Sequence, residues 1–383
     1  MGVFHALHAA YPQAEIAWAI QPEFAGLLKG LPGLTRVIHF QRHGGWRAWA
    51  PLRRSLREFA PDLAVDCQGN MKSAAVMWAS GARRRVGLAK VDWREPAGCR
   101  VLSERAKPLD GKEKHGVDRM VALVRHLVPT SDAPLRMDVA LSEEELSQGR
   151  AVLEEFLPSS SDDHGAPTSP SVIVHLSSGV DIRGWQLDRW KALVQRLLDD
   201  GQRVLLLSGP GEESVGQTLE ERLPVSDQLR HWVGQRGLRP LVAVFSAAAE
   251  RGMAMLGCDS GPAHLAAASG LPVVLLAGPQ DPDRTGPWPI GADSPHRVVQ
   301  ARDQPSCQPC LERSCNHSRG PICMSGIEVA DVCSALAEAC TGSSVQLDSD
   351  SSAAEQDSKR DSKRAKWASD ETGRDPSQGR VQP

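Results

Sequence analysis

One segment constrains this chain more than any other: Cys258-Asp259-Ser260-Gly261-Pro262-Ala263-His264-Leu265-Ala266-Ala267-Ala268-Ser269-Gly270. An apolar run at 252–256 precedes it and reads as a strand, and a second apolar run at 271–278 follows it. Between them stands a short helix with start and stop signals in place. Ser260 is the N-cap, Pro262 falls near the first helical position, and Gly270 suits the C-terminal stop. Taken alone, this is an ordinary strand–turn–helix of an α/β domain. The same geometry also exposes backbone N–H groups and partial positive charge at the helix start, which favour phosphate.

The rest of the chain repeats that alternation. Residues 4–10 read as a helix, 15–20 and 37–40 as strands, 46–59 as a helix, and 63–66 as a strand ending at the Gln68-Gly69 turn. A further strand falls at 85–87, and 117–127 is helical, with apolar residues near i, i+3, i+4 and i+7. Residues 158–170, rich in Ser, Pro and Asp, form a linker by composition. A second pattern then begins, with a strand at 172–175, a helix at 187–198 closed by Gly201, and a strand at 203–207. Such alternation implies βαβ units and mainly parallel sheets. The expected organisation is an N-terminal Rossmann-like domain (1–157), the linker, a C-terminal Rossmann-like domain (171–340) and a tail (341–383). Two such halves place a ligand in the cleft between them, at the carboxyl ends of the strands. The tail is rich in Ser, Asp, Lys, Arg and Gln and repeats Asp-Ser-Lys-Arg at 357–360 and 361–364. It has too little apolar surface to offset its ordering entropy and is expected to be disordered.

A formal net charge of −3 over 383 residues argues against a nucleic-acid-binding protein. Yet 26–57 carries seven basic residues (Lys29, Arg36, Arg42, Arg47, Arg53, Arg54, Arg57) and no acidic one. That stretch is either a solvated face or a surface for an anionic lipid or acceptor. No apolar stretch approaches the ~20 residues that span a bilayer, and the first residues do not read as a signal peptide. The expected location is cytoplasmic, peripheral to the inner membrane. Four of nine cysteines cluster as Cys307, Cys310, Cys315 and Cys323, with His317 among them. In a reducing compartment such spacing points to a structural zinc ion, or else to reduced thiols packing a loop.

Four short motifs, in order, resemble those of glycosyltransferase family 9, the lipopolysaccharide heptosyltransferases and their relatives. The opening segment is similar to that family's Asp-Ser/Thr-Gly-x-x-His-Leu-Ala-Ala signature, and 278–287 to its Gly-Pro-Thr-Asp-Pro-x-x-x-Gly-Pro loop. Residues 66–73 resemble Asp-x-Gln-Gly-x-x-Lys-Ser, and 115–119 resemble His-x-x-Asp-Arg. The resemblance implies the GT-B architecture and an inverting transfer without a catalytic metal. A heptose-like sugar would pass from a nucleotide sugar, ADP-heptose, to a lipopolysaccharide core or related anionic glycolipid.

That chemistry needs a base for the acceptor hydroxyl, tolerance of an oxocarbenium-like centre, and fixed positive charge for the departing diphosphate. The resemblance places donor phosphates at Ser177, Ser178 and Arg183, the last standing in Arg183-Gly184-Trp185 where the family has Lys-x-Trp. Arginine keeps the charge and can fork onto two oxygens. Ser260, Gly261 and His264 supply the helix-terminus site, with Asp259 orienting the turn. Glu212 or Glu213, beyond a strand end, would take the ribose diol. Gln68, Lys72, His115, Asp118 and Arg119 are acceptor-side candidates, the charged ones serving equally well in structural ion pairs. The family opens with a strand and a Gly-Asp turn whose Asp is its proposed base, whereas residues 3–12 match the second half of the helix that follows that turn. The base is therefore unassigned. An upstream start is the favoured expectation. An inactive nucleotide-sugar-binding relic and a substitute carboxylate such as Asp66 are the alternatives. A zinc-loop interaction protein is the rival of another class.

Overall fold

The computed structural model describes residues 1–41, 44–108, 115–129, 135–158, 171–176, 182–209, 211–234, 237–310, 312 and 314–342. The first half contains α1 (Gly2–Ala10), β1 (Ile16–Ile20), α2 (Pro22–Ala25), β2 (Leu34–His39), α3 (Trp49–Phe59) and β3 (Leu63–Asp66). It continues with α4 (Met71–Ser80), β4 (Arg84–Gly87), β5 (Glu104–Arg105) and α5 (Gly116–Leu127). Its strands form two parallel sheets, β1-β2 and β3-β4-β5. Helices join them: on α1, Val3 enters the cluster that includes Leu63 and Val65, while Phe4 packs with Ile16 and Trp18. Ile38 of β2, Leu52 and Leu56 of α3, and Ala79 of α4 share another cluster.

The second half begins with α6 (Glu143–Phe156), β6 (Ser171–His175), α7 (Leu187–Asp199), β7 (Arg203–Ser208), α8 (Glu213–Glu221) and β8 (Leu229–Val233). It continues with α9 (Leu238–Glu250), β9 (Ala254–Cys258), α10 (Gly261–Ala268), β10 (Val273–Leu276), α11 (Pro282–Thr285), β11 (Arg297–Val299), α12 (Ile322–Ser325) and α13 (Val329–Gly342). Its strands make one six-stranded parallel sheet in the order β11-β10-β9-β6-β7-β8. The two-residue period of a strand divides the core. Val172, Val174, Val204 and Leu206 lie with Trp190, Leu193 and Leu197 of α7, and with Val332 and Leu336 of α13. Ile173, Leu205, Leu207, Met255 and Val273 lie with α6 and α9.

The molecule is α/β with the GT-B architecture, two Rossmann-like halves about a cleft. Helix α6, which the composition boundary assigns to the first half, lends Leu153 to the core of the second, as does Leu157 just beyond its end. Linker residues 159–170 and tail residues 343–383 lie outside the described residues, and residues 341–342 end α13.

Candidate active site

The C-terminal sheet reverses its winding between β6 and β9, and the crevice at such a switch point is where open α/β sheets bind ligands. His175 ends β6 on one side of it, and Cys258-Asp259-Ser260 leads from β9 into α10 on the other. Helix α10 starts as its sequence requires, with Pro262 in the first turn and Gly270 at φ +79° beyond its end. Among the described residues no side chain caps its amino end. The Ser260 hydroxyl instead stands 3.5 Å from His175 Nδ1. Helix α4 is the contrast: Asn70 and Ser73 close a capping box, and Glu95 accepts the Met71 N–H at 2.6 Å. Glu95 thus occupies the first-turn N–H position of α4, whereas no described side chain caps α10, and free N–H groups at a helix start favour an anion.

Other residues expected on the donor side gather at the same crevice. Asp259 Oδ1 lies 3.0 Å from His264 Nε2, so Asp259 holds the imidazole. Glu212 accepts the Gly209 N–H and stands 3.9 Å from His175 Nε2. Glu213 instead accepts the Gly211 N–H at 2.9 Å, which holds its carboxyl below the ordinary value. Of the two, Glu212 is the one turned to the crevice. His175 was legible only as the end of a strand, although a polar residue closing the apolar run 172–174 was its signal. Burial pushes its imidazole down to about 4, so it is neutral at physiological pH. Arg183 is exposed, two residues before Trp185, which is buried edge-on against Trp190 at 5.0 Å. Ser177 and Ser178 lie outside the described residues.

On the other side of the cleft, the 66–73 motif is also a strand–turn–helix. Asp66 is 4% exposed, and its Oδ1 accepts the Gln68 and Gly69 N–H groups. Gly69 turns at φ +66° with a Cβ position only 3.2 Å from the Trp93 backbone, so glycine is required there. Asp66 is thus spent on the turn, and its Oδ2 is buried. That setting does not suit it to take a proton from an acceptor in the cleft. Gln68 and Lys72 are exposed at the turn and the first turn of α4. Arg119, in the first turn of α5, lies 3.5 Å from Asp92, and Asp118 belongs to the same turn. His115 differs from the acceptor contact the motif implies. It is buried, its Nδ1 accepts the Val117 N–H, and its Nε2 meets the Gly286 carbonyl.

Two further groupings bring reactive side chains together in sequence or space. Ser208 Oγ, His231 and Glu220 are linked at 2.9 Å and 2.9 Å in the order of a nucleophilic triad. Ser208 is only 1% exposed, so the set ties α8 to β7 and β8. The structure does not confirm the zinc expected from the spacing of the four clustered cysteines, although Cys310 and Cys315 stand near enough to Cys323 to act on its thiol. Cys307 is exposed and Cys323 is buried in the core, with its thiol pushed up first by burial. Among the described residues no three or more Cys, His, Asp or Glu side chains are grouped to hold a metal.

The fold and crevice are those of a GT-B glycosyltransferase. Residues 49–319 match the sequence model of Glycosyltransferase family 9 (heptosyltransferase), and the chain belongs to that family. It is 27% identical to lipopolysaccharide heptosyltransferase 1 of Pseudomonas aeruginosa, over 80% of this chain and 81% of that one. It is 25% identical to lipopolysaccharide heptosyltransferase 1 of Escherichia coli K12, over 72% and 82%. Among solved structures, the family 9 glycosyltransferase of Veillonella parvula superposes with a TM-score of 0.69 at 19% identity, covering 89% of this chain and 92% of that one. ADP-heptose lipopolysaccharide heptosyltransferase II of Escherichia coli gives 0.63 at 23%, covering 89% and 93%.

Proposed function

We propose that this protein transfers a heptose from ADP-heptose to a sugar hydroxyl of a lipopolysaccharide core or a closely related glycolipid. The observation that carries the reading is the amino end of α10 at the switch point, which no described side chain caps, with Ser260 and His264 on it and Glu212 linked to it through His175. The half after the linker takes the donor. Its ribose meets Glu212, and its diphosphate meets the N–H groups from Gly261 onward with Ser260 and His264 beside them. The acceptor hydroxyl oxygen forms the new bond to the anomeric carbon with inversion as the bond from that carbon to the β-phosphate oxygen breaks. The charge stays on the β-phosphate, and the hydroxyl proton passes to solvent, no described side chain being assigned as the base. The helix dipole and Arg183 stabilise that charge, and no step is assigned to a metal. The half before the linker takes the acceptor, with Gln68, Lys72 and Arg119 facing its anionic groups. Helix α3 exposes Arg53, Arg54 and Arg57 opposite the buried Leu52 and Leu56. That charge suits an anionic membrane face, although no described helix is long and apolar enough to cross a membrane.

The test is ADP release and product mass with ADP-heptose and a core lacking its heptoses. Acceptor-dependent release that persists in EDTA is expected. Arg183→Ala should lower kcat about 10²-fold, with Arg183→Lys recovering part of it. Donor binding without transfer to any core acceptor would replace this reading with the relic.

A further inference from the structure

The two halves meet at a contact that the transfer reading does not itself use. His115 is the N-cap of α5 and is 4% exposed. Because its Nδ1 accepts the Val117 N–H at 3.1 Å, its proton is on Nε2, which donates to the Gly286 carbonyl at 3.0 Å. The imidazole also stacks on Trp288, with centroids 5.1 Å apart and planes 28° apart. Trp288 is fixed in turn: its carbonyl accepts from His296 Nε2 at 2.9 Å, and His296 Nδ1 accepts the Val273 N–H at 3.1 Å. A Cβ placed on Gly116 would lie 3.8 Å from the Arg284 carbonyl, so the amino end of α5 abuts the carboxyl end of α11. A continuous path of contacts therefore runs from β10 in the donor half to the first turn of α5 in the other half. That turn carries Arg119.

We propose that His115 is a positioning residue. By fastening the first turn of α5, and with it Arg119, to the 286–288 loop, it holds the halves in the arrangement from which transfer occurs. This rests on the function proposed above. Its energetic logic is orientation: a displacement of about 1 Å between reacting groups costs about 10²-fold in rate without weakening either substrate's own contacts. His115 touches neither donor nor acceptor in this role.

The decisive variant is His115→Asn. Asparagine is a good N-cap, so α5 keeps its first-turn acceptor, but the side chain is too short to reach Gly286. Small-angle X-ray scattering of the full chain should show a broader distance distribution for this variant than for wild type. Its kcat should fall at least 10-fold, while the KM and calorimetric Kd for ADP-heptose stay within about 2-fold and the thermal midpoint within a few degrees. Trp288→Phe, which keeps a ring against the imidazole, should restore most of the rate lost in Trp288→Ala. Wild-type scattering, or wild-type kcat, in His115→Asn overturns the proposal. Should the wild-type chain transfer no sugar at all, the functional reading fails by itself. The scattering comparison then still decides whether His115 fastens the halves.

Discussion

At the scale of single residues, the second half buries imidazoles that refuse protons. His175 and His296 are each pushed down to about 4, chiefly by burial; His5, on α1 in the first half, is lowered for the same reason. The sign of the consequence is fixed by linkage. The unfolded chain binds protons at His175 and His296 from about pH 6.5 downward, and the folded chain does not until about pH 4. Stability is therefore full above pH 6.5 and falls as the pH drops toward 4, by up to about 1.4 kcal/mol per pH unit for each fully shifted histidine. Carboxylates protonate mainly below about pH 4.5, so the window from 6.5 to 5 isolates the histidines. Urea unfolding across that window should show a slope that flattens in the His175→Asn, His296→Gln double variant. An unchanged slope would show that these side chains take up protons in the folded state.

At the scale of elements, what could be read from the sequence depended on whether one face or all faces of an element are buried. Helix α7 was plain because Trp190, Leu193, Val194, Leu197 and Leu198 form one stripe. Helix α9 gave no stripe: Leu238–Glu250 is apolar nearly all round, because α6 covers the side that the sheet does not. Strand β8 mixes Arg230 and His231 with apolar residues and was equally silent. The crevice at the switch point was legible because turn chemistry is local, as in 258–270. The partners of His115 were not, since Gly286 and Trp288 lie some 170 residues away. The α6–α9 contact depends on Gly149, where a Cβ would stand 2.3 Å from the Ala243 carbonyl oxygen. A backbone atom cannot swing aside as a side chain can, so α6 must lift. Gly149→Ala should therefore cost about 1–3 kcal/mol, although alanine is intrinsically the better helix former by about 1 kcal/mol. Thermal unfolding should show a midpoint lower by several degrees. A raised midpoint would mean that the helices are not in backbone contact there.

At the scale of the whole molecule, the halves are held at a second point, and its chemistry differs from that of His115. Arg239, in the first turn of α9, donates through Nε to Glu145 Oε1 at 2.6 Å and through Nη2 to Glu145 Oε2. The same guanidinium reaches the Ala140 carbonyl at 2.6 Å and, in the first half, the Gly26 and Lys29 carbonyls at 3.2 Å and 2.9 Å. One side chain thus joins α9, the start of α6 and the 26–29 turn. Hydrogen bonding from Arg239, with help from the Ser142 amide, holds the Glu145 carboxyl down to about 2. A carboxylate lowered in the folded state contributes stability that is present above its unfolded pKa of about 4.5 and is lost as the pH falls toward 2. Glu145→Gln leaves the guanidinium its carbonyl acceptors but no counter-charge, and should cost about 1.5–3 kcal/mol at neutral pH. Because the group is part of the capping box of α6, the loss should appear as one cooperative shift in unfolding rather than as a separate early transition. The gap between wild type and variant should be constant from pH 7 to 5 and narrow below about 4.5. A gap that stays constant through pH 4 would place the cost in the cap alone and leave Arg239 as a hydrogen-bond donor that needs no ion pair to join the halves.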